Sequence, residues 1–293
     1  MTRVVITGTS SGIGSAIALA FGRAGHTVYA TMRDPSRSPE LRQIATREGQ
    51  SLMVLPMDVD SDASVRAAFD RIIREGGVDV LINNAGIAPT GSVEQLPLAV
   101  FRGVMETNYF GALRCIQAVL PTMRQRGSGC IVNISSISGR IAAAPLAPYV
   151  ASKFALEGLS EALAQEVRPF NVRVALVQPG IIDTPAAQEV AASKGPSLYP
   201  QERRFAALFR AALSQPTPPS LVSEKVLEIV ESGTWQLRHP VGPDAAPFLQ
   251  WRAAMSDEAW VEWGALDDDA WYDRLKAEFG IDARAYIEAA LRS

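Results

Sequence analysis

Eight residues near the start of the chain constrain its fold most: Thr7-Gly8-Thr9-Ser10-Ser11-Gly12-Ile13-Gly14. They follow a β-branched run at 3–7 and lead into an amphipathic stretch at 12–24. Gly8 permits a tight turn, Gly12 lets the backbone approach a pyrophosphate, and Gly14 lets helix and strand pack closely. The amides around Ser10, Ser11 and Ile13 then face an anion at a helix N-terminus. A serine- and glycine-rich loop without a ligand could use the same residues. The strand–turn–helix setting points to a dinucleotide instead.

The same alternation continues along the chain. Apolar runs at 26–32, 52–59, 78–83, 130–135 and 172–178 read as strands, with a further strand at 235–238. Stretches at 41–48, 61–75, 98–125, 148–167 and 221–231 read as helices, the second starting from an N-cap at Ser61. Strands that are apolar throughout are covered on both faces. Together these features predict an α/β protein with a doubly wound parallel sheet, the Rossmann fold, forming a single domain over 1–293. Ligands of such sheets sit at the carboxyl ends of the strands.

Two stretches depart from the alternation. Residues 186–220 form an insertion in which Phe205, Leu208, Phe209 and Leu213 recur at helical spacing. This apolar stripe either covers a substrate as a flap or packs on the body. Residues 243–293 form a helical tail with Trp251, Trp260, Trp263 and Trp271. These tryptophans are read as anchors to the core or to a partner subunit, with pocket lining as the alternative.

Composition narrows the chemistry. Apolar residues make up 47% of the chain, enough for a large core, and the formal net charge is −3. No basic tract follows a phosphate backbone, so nucleic acid is not an expected partner. Cys115 and Cys130 lie in apolar runs and form no CxxC pair, which predicts buried, reduced thiols. His26 and His239 lack ligand spacing, so no metal site is expected. No charged leader precedes the first strand, and no apolar run reaches the roughly 18 residues of a membrane span. The expected compartment is the cytoplasm.

The end of the second strand selects the cofactor. A free ribose hydroxyl usually meets an acid there. This chain has Met32 followed by Arg33, whose planar fork suits a 2′-phosphate. NADP(H) is therefore expected, and Asp34, the next residue, keeps NAD(H) as the alternative.

Tyr149 and Lys153 are four residues apart at a helix start and share a face. A nearby ammonium favours the phenolate, so the pair could pass a proton during hydride transfer. A core tyrosine beside a snorkelling lysine would show the same spacing, so the context has to decide. A strand ends at Ser135 and Ser136, where a hydroxyl could hold a substrate oxygen. Asn108 lies inside the long helix, where an amide needs a reason, and capping a local kink would be one.

At this point the chain resembles the short-chain dehydrogenase/reductase family. The resemblance is close over about 3–185. It rests on the glycine turn, Asp58-Val59, Asn83-Asn84-Ala85-Gly86, Asn108, Ser136, Tyr149-Val150-Ala151-Ser152-Lys153 and Pro179-Gly180-Ile181-Ile182-Asp183-Thr184. The resemblance implies a catalytic tetrad of Asn108, Ser136, Tyr149 and Lys153. Ser136 would hold the substrate oxygen, with Ser135 and Ser138 as other candidates. Lys153 would also hold the nicotinamide ribose, and Asn108 a water that links Lys153 to solvent. Asp58 and Val59 would meet the adenine, and Asn84, Ala85 and Gly86 the adenosine side. Pro179, Gly180 and Ile182 would follow the cofactor, and Thr184 would reach its carboxamide. Asp58 as a turn former and Thr184 as a helix cap remain alternatives. Tyr149 to Leu159 and Val28 to Asp34 are similar to the 17β-hydroxysteroid and retinol dehydrogenase branch, which implies an apolar or bulky substrate. The family also implies a homodimer or homotetramer.

The expected function is hydride transfer between NADP(H) and a carbonyl or secondary alcohol, with Tyr149 as general acid/base. A second reading is a non-catalytic NADP(H)-binding redox sensor; loss of the tyrosine or lysine would favour it, and both are present. A third keeps the enzyme but changes the reaction to epimerisation or dehydration.

Overall fold

Seven parallel strands form one sheet in the computed structural model, which describes residues 2–193 and 198–287. Residues 194–197 of the expected insertion and 288–293 of the expected tail lie outside the described residues. The strands are β1 (Arg3–Thr7), β2 (Thr27–Met32), β3 (Leu52–Pro56), β4 (Val80–Asn83), β5 (Gly129–Ile134), β6 (Val172–Pro179) and β7 (Arg238–Val241). Their order is β3-β2-β1-β4-β5-β6-β7. This is the doubly wound Rossmann arrangement that the sequence predicts.

Side-chain alternation along each strand separates two cores. On one face, Val4, Ile6, Val28 and Ile82 pack with Ile17 and Phe21 of α1 (Gly12–Arg23) and with Val226 and Ile229 of α9 (Pro219–Ser232). On the other, Val5, Leu81 and Ile131 pack with Phe69 of α3 (Asp62–Arg74) and Val119 of α5 (Gly111–Arg126). Burying each large apolar side chain contributes about 1.5–3 kcal/mol. α2 (Pro39–Arg47) covers the edge near β3. Cys115 and Cys130 are buried and free, and burial pushes their thiols up to about 12 and about 11.

The long helix expected at 98–125 is divided. α4 (Leu98–Met105) gives way to a π-helical turn at Glu106–Phe110, and α5 resumes at Gly111. The last strand also differs from its expected place at 235–238. β6 pairs Leu176 with Arg238 and Pro179 with Val241, which sets β7 three residues later. Trp235 stays outside the sheet, where its ring stacks on the Arg168 guanidinium at 3.5 Å. That cation–π contact uses the aromatic residue that suggested a strand.

Among the described residues the insertion contains two α-helices, α7 (Pro185–Ala192) and α8 (Pro200–Leu213), and the tail three, α10 (Ala245–Ala253), α11 (Asp257–Ala265) and α12 (Asp268–Phe279). Ala207 and Leu208 of α8 join Trp263, Trp271, Tyr272 and Leu275 in a third hydrophobic cluster. No helix among the described residues is long and apolar enough to cross a membrane.

Candidate active site

The sheet order reverses between β1 and β4, which leaves a crevice at their carboxyl ends. Gly8 and Gly12 have φ of 70° and 56°, the left-handed region that glycine enters without strain. A Cβ on Gly14 would lie 2.3 Å from the Gly8 carbonyl oxygen and 2.4 Å from Asn84 Nδ2. The turn therefore has room for backbone alone. Thr7 Oγ1 accepts from the amides of Asn84 and Ala85 at 3.0 Å each. Asn84 Nδ2 donates back to the carbonyls of Thr7 and Gly8, both at 2.9 Å. These four bonds lock the two strand ends together.

A cavity of about 750 Å³ begins on this turn, and Gly8, Ser10, Ser11, Gly12, Ile13 and Gly14 line it. Arg33 lines it from the end of β2, and Asp58 and Val59 from beyond β3. Asn84, Ala85 and Gly86 follow β4. Ser136, Tyr149 and Lys153 form the next wall, and Pro179, Gly180, Ile182 and Thr184 the segment after β6. The fold thus gathers every expected site residue onto one cavity except Asn108.

Several of these residues also perform the plainer role. Asp58 Oδ1 accepts from the Asp60 amide at 3.1 Å, closing a turn. Thr184 Oγ1 caps α7 through the Ala187 amide at 3.2 Å. Asp34 Oδ1 accepts from the Ser36 amide at 2.9 Å and the Ser36 hydroxyl at 2.6 Å. The acid beside Arg33 is thereby engaged in a turn.

Ser136 follows β5, where its Oγ accepts from the Ser138 amide at 3.0 Å and stands beside Tyr149. Tyr149 and Lys153 stand on the first turns of α6 (Ala147–Val167). Lys153 Nζ donates to the Ile134 carbonyl at 2.8 Å. Burial lowers its ammonium to about 8, and the charge of Glu157 opposes that shift. For Tyr149 the structure corrects the sequence-based expectation. Burial raises its phenol above the ordinary value, and the neighbouring Ser136 hydroxyl offsets only part of this.

Asn108 sits behind the cavity wall, fully buried in the π-helical turn. Its Oδ1 accepts from the Ile87 amide at 2.8 Å, and its Nδ2 donates to the Ile87 carbonyl at 2.9 Å. Nδ2 also donates to Ser152 Oγ at 2.9 Å, and that hydroxyl donates to the Tyr149 carbonyl at 2.7 Å. The widened π turn places one amide between the β4 loop and the start of α6.

Sequence reasoning missed three supports of the site. Glu157, one turn beyond Lys153, accepts from Gln178 Nε2 at 3.0 Å and Arg238 Nε at 2.8 Å. Asn133 joins β4 to α6, accepting from Asn83 and donating to Ser160, both at 2.8 Å. Half-buried Asp244 accepts from the Ile181 amide at 2.8 Å, and partial burial pushes its carboxyl up. Their partners lie up to 81 residues away in sequence, so no local pattern marks them.

The far end of the cavity is aromatic. Phe205, Leu208 and Phe209 of the insertion line it, whereas Leu213 does not. All four tail tryptophans line it as well, so here they are pocket walls and anchors at once. Trp260 Nε1 donates to the Ala142 carbonyl at 3.2 Å, fastening the tail to the loop after Ser136.

Fold and cavity together place the chain among oxidoreductases built on the Rossmann sheet. It belongs to the short chain dehydrogenase family, whose match runs over residues 2–195. Retinol dehydrogenase 8 of Bos taurus is 43% identical over 185 residues, 62% of this chain and 59% of that protein. This relative is thus matched over less than two thirds of its own length. The uncharacterized oxidoreductase YusZ of Bacillus subtilis is 32% identical over 266 residues, 87% of this chain and 94% of that protein. Among solved structures, a short-chain dehydrogenase from Streptomyces avermitilis superposes with a TM-score of 0.76 at 33% identity, over 89% of this chain and 95% of that one.

Proposed function

We propose that the chain moves a hydride between NADP(H) and the carbonyl or secondary alcohol of an apolar or bulky substrate, with Tyr149 as general acid/base. One observation carries this reading. Tyr149, beside Ser136 and one helical turn from Lys153, lies on the cavity that the glycine turn also lines.

The residues present fit a dinucleotide. Gly8, Gly12 and Gly14 leave a cradle that a Cβ would fill. Ser11 stands at the N-cap of α1 without capping it, so first-turn amides can serve a phosphate. Arg33 offers a fork for a 2′-phosphate while Asp34 is held by its turn, which favours NADP(H) over NAD(H). When bound, the nicotinamide supplies the hydride for reduction or accepts it in oxidation.

The chain's own residues do the rest. In reduction, the Tyr149 hydroxyl donates its proton to the carbonyl oxygen as that oxygen gains negative charge. Ser136 Oγ offers a second hydrogen bond to the same oxygen, which orients the substrate. The Lys153 ammonium stabilises the phenolate left behind. The raised phenol of Tyr149 keeps the proton in place until it is needed. In oxidation the phenolate takes the alcohol proton. The aromatic end excludes water and suits an apolar substrate, in keeping with a relative named for retinol. We read the cytoplasm as its compartment. α6, with Phe154 exposed, is read as the contact of a homodimer or homotetramer.

The test is NADPH oxidation with a panel of aromatic ketones, decalones, steroids and retinal. At least one should be reduced. Tyr149→Phe should lower turnover about a hundredfold or more with cofactor affinity unchanged. Undiminished turnover would refute the role of Tyr149.

A further inference from the structure

Arg204 is the fifth residue of α8 and lines the aromatic end of the cavity. It is only 3% exposed, and Phe205, Trp263 and Trp271 line the same cavity. Its Nε donates to Asp268 Oδ1 at 2.7 Å. Asp268 Oδ2 is already taken by Arg203 Nη2, also at 2.7 Å. Two guanidinium groups therefore share one carboxylate, and the cluster carries one positive charge in excess. Arg210, one and a half turns further along, spends its donors on the carbonyls of Ala191, Ser193 and Tyr286 and adds no acid.

The geometry leaves a donor over. Arg204 Nη1 is buried and has no hydrogen-bond partner among the described residues, and the Tyr272 hydroxyl beside the same cluster has none among them either. A buried guanidinium donor without an acceptor is costly, and so is an uncompensated buried charge. A strut between α8 and α12 needs only the Arg204–Asp268 bond. It does not explain a second charge on the same acid or the unused Nη1. An anion from outside the chain would meet both needs.

We propose that the aromatic chamber takes a substrate with an apolar body and an anionic end, a carboxylate, which pairs with Arg204 Nη1 while the reacting oxygen meets Tyr149. The inference rests on the reading of this cavity as the substrate site. Arg204 acts as a specificity residue and takes no part in the proton transfer.

The experiment reads binding rather than turnover, so it stands apart from the test of Tyr149. The full chain is titrated by calorimetry, with and without NADP+, against naphthylacetate and the neutral naphthylethanol. Naphthylacetate should bind about tenfold more tightly, the size of one charge-assisted hydrogen bond. Arg204→Gln should remove the preference. Asp268→Asn should enlarge it, because the shared acid no longer competes for Arg204. Equal affinity for the two probes in the parent chain overturns the proposal. So does binding of neither, or a preference unchanged in Arg204→Gln. If Arg204→Gln does not fold, Asp268→Asn decides alone: an enlarged preference supports the proposal, and an unchanged or smaller one overturns it.

Discussion

Lys153 Nζ lies over the Tyr149 ring, 5.5 Å from its centroid. The ammonium is held there by the Ile134 carbonyl, at the end of the strand that also leads to Ser136. One strand end therefore sets both the Ser136 hydroxyl beside Tyr149 and the cation over its ring.

The lowered Lys153 predicts a slope of stability with pH. The folded chain loses the proton at about 8 and an ordinary lysine at 10.5. Between those values the unfolded chain holds a proton that the folded chain has lost, so stability rises with pH. Below the window both states are protonated, and burial of the ammonium costs about 3 kcal/mol. Lys153→Met should therefore gain stability relative to the parent below pH 8, and the gain should fade as pH rises through the window. Urea unfolding of both proteins across this range checks it; parallel curves would contradict it.

Arg33→Asp should move cofactor preference from NADP(H) toward NAD(H) by about tenfold or more, through loss of charge-assisted bonds to a phosphate. The ratio of kcat/KM for the two cofactors measures it. An unchanged ratio removes Arg33 from the 2′-phosphate.

Asn108→Ala leaves the Ile87 amide and carbonyl without their side-chain partner. Both bonds are part-buried, so losing each costs about 0.5–1.5 kcal/mol. Thermal unfolding should show a clear drop in Tm, and turnover should fall because the β4 loop and the start of α6 lose their common tie. An unaltered Tm would show that the amide is dispensable to the fold.

Two glycines should respond in opposite directions. Gly14→Ala forces a methyl group against the Gly8 carbonyl and Asn84, so cofactor binding should be lost. Gly158 sits in α6 with nothing near its absent Cβ. Gly158→Ala should stabilise the chain by about 0.5–1 kcal/mol. Cofactor titration and denaturant unfolding of the pair check both signs.

The sheet was legible because its strands are apolar runs separated by helices, a pattern that depends only on neighbours in sequence. The cavity wall from Gly8 to Thr184 was legible for a related reason, since most of its motifs sit at strand ends and Tyr149 and Lys153 at a helix start. What escaped depends on distant partners. The π turn at Asn108 exists to reach Ile87 and Ser152, and the amphipathic pattern runs through it without a break. β7 is placed by its register with β6, while Trp235, the most strand-like residue nearby, is held by Arg168. Arg204 precedes the Phe205 stripe and reads as an ordinary polar position until Asp268 is brought alongside.

The third hydrophobic cluster has a consequence for how such a chain can change. Two cores hold the sheet, and a separate one knits α8 to the tail around the aromatic chamber. Substitutions among Leu208, Trp263 and Leu275 reshape that chamber without entering the packing beneath Gly8 or Tyr149. The architecture separates what can vary from what must stay fixed, so a new appetite can be acquired at one end while the chemistry at the other is inherited intact.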